Sequence, residues 1–264
     1  MWRDIGNPGN RVYYPKIRSR SRCGGRNRAK LASASIGAAH HLGTSVKIPS
    51  ALTAVLTAGL LLLGGIAAPA DAGATYVTNL RAAARALPVA NENNAGYDRD
   101  RYFGGWKDSD KDCQDTRAEV LVAETKAALS YTTTRRCTVS TGRWTTSFDN
   151  KVHTSAKTVQ IDHTVPVAEA WGSGARNWTQ TRRVAFYNDI GYAGTLNAQT
   201  TLLNQQKQAK GPEDWMPPSN RCSYVSQWIT VKARWGMTVD SREKAALVKI
   251  ADSCPAAQLT ITRY

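Results

Sequence analysis

Histidine is scarce in this chain: four in 264 residues, at positions 40, 41, 153 and 163. A zinc hydrolase centre built on several imidazoles cannot be assembled from so few. Cysteine numbers only five, and no two lie within the C-x2-4-C spacing of a zinc site, so disulfides are the preferred reading. A nucleophile elbow is missing too. Ser173 sits in W-G-S-G-A with Trp171 where the first glycine belongs, which argues against a serine hydrolase. The first 50 residues hold a single acid, Asp4, against ten Lys/Arg, and show no sustained apolar period, so no packed core is expected there. No internal repeat or low-complexity segment follows residue 72.

What is present begins with a leader. Residues 51–68 are uncharged, and Ala70-x-Ala72 after them matches a small-residue cleavage site, so a signal peptide cut after Ala72 is expected. Eighteen residues is also the lower limit for a membrane-spanning helix, but short apolar runs broken by glycine favour the signal peptide. The basic stretch ahead of it is too long for an n-region, and a start at Val46 would suffice; we read an over-extended start site. Removing the leader takes His40, His41 and Cys23 with it. Residues 73–264 hold 25 Lys/Arg and 18 Asp/Glu, a net charge of +7 against +15 for the whole chain. That moderate basicity permits a polyanionic partner without demonstrating one.

Four cysteines remain, and export makes disulfides expected. Of three connectivities, Cys113 with Cys137 and Cys222 with Cys254 is preferred, because each pair brackets one local unit. Residues 73–95 read as a short Ala-rich helix over 79–87 and a linker, with one compact domain over 96–264. Asp115 caps a helix expected to run to about 129. Short strands are expected over 137–139, 143–148 and 158–161. Helical segments follow near 180–187, 204–210 and 222–235. A last helix starts at Asp240, where Asp240 and Glu243 match a capping box, and ends near Cys254. Trp171, Trp178, Trp215, Trp228 and Trp235 are assigned to core packing rather than base stacking, and His153 to the surface.

The chemistry concentrates in Ile161-Asp162-His163-Thr164-Val165-Pro166, where a strand delivers a carboxylate and an imidazole side by side. Alone, such a pair reads as a surface turn. Downstream, Asn204 and Lys207 at i and i+3 share one helical face, so an amide oxygen and an ammonium could address one phosphate site.

Asp162-His163, Leu196-Asn197-Ala198 and Asn204-x-x-Lys207 occur in the order of the HNH signature of ββα-metal nucleases. Further segments match: Y-D-R-D-R-Y-F-G from Tyr97, D-C-Q-D-T-R from Asp112, A-W-G-S-G-A from Ala170, Y-N-D from Tyr187, W-M-P-P from Trp215 and C-S-Y from Cys222. Over about residues 97–254 the chain resembles the exported bacterial HNH endonuclease family, related to the C-terminal domain of GmrSD-type restriction enzymes. The resemblance implies an α+β fold with a ββα-metal core, additional packed helices and two disulfides. It implies His163 as general base, Asp162 and Asn204 as ligands of Mg²⁺ or Mn²⁺, Asn197 as the residue steadying the loop, and Lys207 near phosphate. The loop over 188–197 is longer than the family pattern, which makes Asn188 a competitor of Asn197.

Lys210, Arg176, Arg182 and Arg183 are candidates for backbone contacts with substrate. The expected protein is a secreted, monomeric endonuclease acting on DNA before RNA, without stable membrane association. The alternative is an inactive module of the same fold that binds DNA or another polyanion.

Overall fold

The computed structural model describes residues 73–264; the leader and the expected cleavage after Ala72 lie outside the described residues. The chain opens with strand β1 (Thr75–Asn79) and helix α1 (Leu80–Ala86), then the one-turn helix α2 (Arg99–Tyr102) and helix α3 (Thr116–Glu124). Strands β2 (Ser130–Tyr131), β3 (Val139–Thr145), β4 (Val152–Ser155) and β5 (Val159–His163) come next. Helices α4 (Val167–Gly172) and α5 (Gln180–Tyr187) lead to strand β6 (Leu196–Thr200) and helix α6 (Thr201–Lys207). Helices α7 (Arg221–Trp235) and α8 (Ser241–Ser253) and strand β7 (Gln258–Thr262) close the fold. It is an α+β domain with three small antiparallel sheets, in the orders β1-β7, β2-β3-β4 and β5-β6.

Residues 73–95 do not stand apart as a helix and linker. β1 pairs with β7 from Thr75↔Thr262 to Asn79↔Gln258, and Leu80, Ala83, Ala84 and Leu87 lie in the main core with Trp228, Trp235 and Leu247. Before Gly96 the chain is therefore part of the packed unit, because burying the apolar face of α1 against α7 and α8 removes it from water. The expected 79–87 helix forms with Asn79 as its cap, its side chain accepting from the Ala82 amide.

Asp115 caps α3 as expected, but that helix stops at Glu124 rather than near 129. The amide of Lys126 donates instead to the Arg143 carbonyl, drawing the chain into the sheet. Gly142, between the expected 137–139 and 143–148 strands, lies instead inside β3, where the β3–β4 register shifts. A Cβ there would stand 2.8 Å from Leu129 and Trp144 side-chain atoms, so glycine is required by close approach. Both expected disulfides are present, Cys113–Cys137 and Cys222–Cys254.

Two apolar clusters organise the interior. The larger joins the helices; the smaller packs Val120 and Leu121 of α3 against Val139, Trp144, Val159, Ile161, Leu196 and Ala198. Trp171, Trp228 and Trp235 are buried in the larger cluster, with Trp178 and Trp215 packed against it, so the tryptophans fill the core. Ile161 belongs to one cluster and Val165 to the other, which puts Asp162 and His163 at the joint between them.

Candidate functional site

β5 and β6 pair so that Asp162 faces Asn197 and His163 faces Leu196. Helix α6 follows β6 without a break and turns back along β5. Strand side chains repeat every two residues and helix side chains every three to four, so Gln160 and Asp162 meet Asn204 and Lys207. Asn204 Nδ2 donates to Gln160 Oε1 at 2.8 Å, and Lys207 Nζ donates to Asp162 Oδ1 at 3.0 Å and to the His163 carbonyl at 2.8 Å.

Asp162 and Lys207 are both buried, Lys207 completely. Desolvation raises the Asp162 carboxyl against the opposing pull of Lys207, and lowers the Lys207 ammonium against that of Asp162. Asp162 Oδ2 lies 2.9 Å from the same ammonium but off its hydrogen-bonding directions, and has no hydrogen-bond partner. Lys207 is therefore not at an accessible phosphate position. Its ammonium holds the carboxylate and the strand end, because α6 directs it inward.

His163 lies on the other face of β5, and the strand continues through it without the local turn that would swing the imidazole beside the carboxylate. Its ring stacks on Trp106 at 5.4 Å between centroids with planes 7° apart, and meets Tyr187 at 4.7 Å. The Nε2 nitrogen lies 2.9 Å from the Tyr187 carbonyl oxygen. A carbonyl only accepts, so Nε2 carries the proton and the neutral ring keeps its lone pair on Nδ1. Burial, above all, pushes the His163 pKa down to about 3; the Tyr187 carbonyl opposes the shift, and the charges of Arg99 and Lys207 add to it. Near neutral pH the ring is thus an unprotonated base of defined tautomer.

Asn197 donates to Thr164 Oγ1 at 2.8 Å and to the Gly194 carbonyl at 3.4 Å, joining the two ends of the β5–β6 connection. Asn188 works elsewhere: its Oδ1 accepts from the Lys107 amide and the Thr116 hydroxyl. Arg182 is committed to the carbonyls of Trp235 and Tyr264 and lies over the Trp178 ring, and buried Arg183 bonds four carbonyls, including those of Tyr102 and Ala175. Arg183 is spent on backbone oxygens at the ends of loops, whereas Arg182 uses only Nη2 and its buried Nε has no hydrogen-bond partner. Lys210 is exposed beyond α6 and Arg176 is half-buried on a turn. His153 is half-buried and tied to Thr158 and Thr200.

Three residues at the site had no role in the sequence reading: Trp106, Tyr187 and Arg99. Tyr187 and Arg99 lie in matching segments, Y-N-D and Y-D-R-D-R-Y-F-G, but nothing in the sequence says that these meet at His163. Arg99 is exposed, and its Nη2 donates to the Tyr187 hydroxyl at 2.6 Å.

Among the described residues, two groups of carboxylates away from this site have oxygens close enough to hold a metal ion. Glu92, Glu169 and Glu243 form one, but the Lys232 ammonium already bridges Glu169 and Glu243. Asp108, Asp110 and Asp112 form the other, exposed on the loop before α3. Glu243 was expected to complete a capping box; only Asp240 caps α8, because the Glu243 carboxylate is turned inward to Lys232 and Trp228.

A disulfide-bonded α+β domain of this composition falls in a known family. The chain belongs to the family described as GmrSD restriction endonucleases, C-terminal domain, whose model matches residues 115–250. It is also 37% identical over 161 residues to an uncharacterized secreted protein of the fungus Arthroderma benhamiae, covering 60% of this chain and 76% of that protein. This relative is a secreted fungal protein, where the sequence resemblance had pointed to an exported bacterial family. No solved structure matches the chain. Among the described residues no helix is long and apolar enough to cross a membrane.

Proposed function

We propose that the protein is a secreted, metal-dependent HNH endonuclease that hydrolyses nucleic-acid phosphodiester bonds as a monomer, acting on DNA before RNA. The observation that carries this reading is His163: a neutral imidazole whose Nε2–H is held by the Tyr187 carbonyl, leaving Nδ1 to accept a proton. The antiparallel β5–β6 pair with α6 directly after β6 supports it, being two paired strands and a helix as in a ββα-metal core, with α4 and α5 inserted between the strands. Membership in a restriction-endonuclease family supports the nuclease class, and the secreted relative and two disulfides support export.

The residues fit a hard divalent cation, Mg²⁺ or Mn²⁺. Asp162 and Asn204 offer hard oxygens: Asp162 Oδ2 makes only the 2.9 Å ion pair with Lys207, which a bound cation would share or displace, and among the described residues no donor reaches the Asn204 amide oxygen while its nitrogen donates to Gln160. When bound, such a cation neutralises charge on the phosphate and the leaving oxygen. The chain's own groups do the rest. His163 Nδ1 takes a proton from water, the water oxygen forms a bond to phosphorus, and the bond from phosphorus to the leaving oxygen breaks; that oxygen is protonated from solvent. Lys207 orients Asp162, Asn197 steadies the β5–β6 connection, and Lys210 and Arg176 contact the substrate backbone in this reading. The alternative, an inactive polyanion-binding module, has one observation in its favour: the Asp162 carboxylate is already paired with Lys207.

The test is plasmid cleavage by the oxidised protein, expressed as the full chain for export, with Mg²⁺ or Mn²⁺ and with excess EDTA. Cleavage that needs the cation is expected, and His163→Ala should lower the rate by about 10²- to 10⁴-fold while DNA binding survives. A folded His163→Ala protein cutting at the wild-type rate refutes the mechanism. Wild-type protein that binds and never cuts establishes the binding module instead.

A further inference from the structure

Lys207 and Arg183 are committed to internal partners, and none of the cations proposed so far for substrate contacts shares an anchoring residue with His163. We infer that Arg99 grips the phosphodiester at the His163 site, contacting its non-bridging oxygens; this rests on the nuclease reading above. The Y-D-R-D-R-Y-F-G segment, which had no assigned task, supplies it.

The backbone at Arg99 is anchored. Asp98 caps α2 by accepting from the Arg101 amide, and the Arg99 carbonyl accepts from the amides of Phe103 and Gly104, with Phe103 fully buried in the main core. From that base the exposed side chain reaches Tyr187. Its Nη2 donates to the hydroxyl at 2.6 Å, and its Cζ lies 5.2 Å from the ring centroid. Of five guanidinium donors, this one hydrogen bond uses one. Among the described residues no carboxylate lies within ion-pair distance of Arg99, although Asp98 and Asp100 flank it in sequence.

Tyr187 holds both groups: its hydroxyl takes Arg99 and its carbonyl takes His163 Nε2. One residue therefore sets the separation between the base and an exposed cation with one of its five donors in use. A planar fork with free donors suits two oxygens of one phosphate, and the cost of orienting it is met by the Tyr187 contact before substrate arrives.

The experiment compares wild-type, Arg99→Ala, Arg99→Lys and Tyr187→Phe proteins for kcat/KM on duplex DNA. It adds the salt dependence of DNA binding in the His163→Ala and His163→Ala/Arg99→Ala proteins. Arg99→Ala should lower kcat/KM by about 100-fold, the loss typical of one preorganised donor. Arg99→Lys should recover only part, since an ammonium cannot fork. Tyr187→Phe keeps the carbonyl on His163 and releases the guanidinium, so its loss should fall between those of the two Arg99 variants. Removing one phosphate contact should make the slope of log affinity against log salt shallower by about 0.9. A folded Arg99→Ala protein with wild-type kcat/KM overturns the assignment. So does a loss of activity with an unchanged salt slope, which would make Arg99 a packing partner of Tyr187. If the wild type does not cut, the nuclease reading fails by itself, and the salt slope still decides whether Arg99 meets phosphate.

Discussion

Two lysines, Lys207 and Lys232, are completely buried, and their surroundings differ in one respect. Lys232 on α7 donates to Glu169 of α4 at 2.5 Å, Ser173 at 2.6 Å, the Thr238 carbonyl at 3.0 Å and Glu243 of α8 at 3.1 Å. Glu169 also accepts from Ser173, and Glu243 from Trp228, so the cluster is closed on itself and ties three helices together. Lys207 has one carboxylate and one carbonyl, and leaves Asp162 Oδ2 without a hydrogen bond. A buried ammonium shared among several acceptors ties the fold together, whereas the Lys207 pair leaves one carboxylate oxygen with an ion pair and no hydrogen bond, next to an imidazole of defined tautomer.

Breaking each cluster should expose that contrast. Lys232→Met leaves Glu169, Glu243 and the nearby Glu92 without their ammonium, and should cost about 3 to 5 kcal/mol in urea unfolding, the range for an uncompensated buried charge. A loss below that for Lys207→Met would mark the more open cluster. There the orphaned groups are one carboxylate, which protonation can neutralise, and one carbonyl, so about 1 to 3 kcal/mol is expected. Equal losses for the two variants would remove the distinction drawn here.

The smallest effect is on pH dependence. Three carboxylates face a single ammonium, so the cluster retains protons. Burial above all raises Glu92 to about 7 and Glu243 to about 8, from an ordinary value of 4.5. The folded state then binds more protons than the unfolded chain across that interval, and stability falls as pH rises. Tm should decline from pH 5 to pH 8, and Glu243→Gln should flatten the decline. A Tm that rises over this range in the wild type would show that the carboxylates are ionised together in the folded protein.

Much of the architecture was legible residue by residue. Asn79, Asp115 and Asp240 mark helix starts because a short side-chain acceptor satisfies an orphan amide wherever the helix packs. Paired cysteines bracketing local units identified both disulfides. The end of α3 was not legible, since good helix formers continue past Glu124 and only the Arg143 carbonyl decides where Lys126 goes. Likewise the 73–95 segment reads as a helix and linker until β7, about 180 residues away in sequence, arrives to pair with β1.

At the candidate site the division is sharper. Local sequence alone put Asp162 beside His163 and set Asn204 and Lys207 on one helical face, because strand and helix periods are properties of neighbouring residues. Only tertiary packing decided that Lys207 turns inward to Asp162, that Tyr187 fixes the His163 tautomer, and that the exposed Arg99 is anchored on the same Tyr187. The reason is physical: burial and hydrogen-bond partnership, which set the charge and tautomer of a side chain, depend on segments distant in sequence.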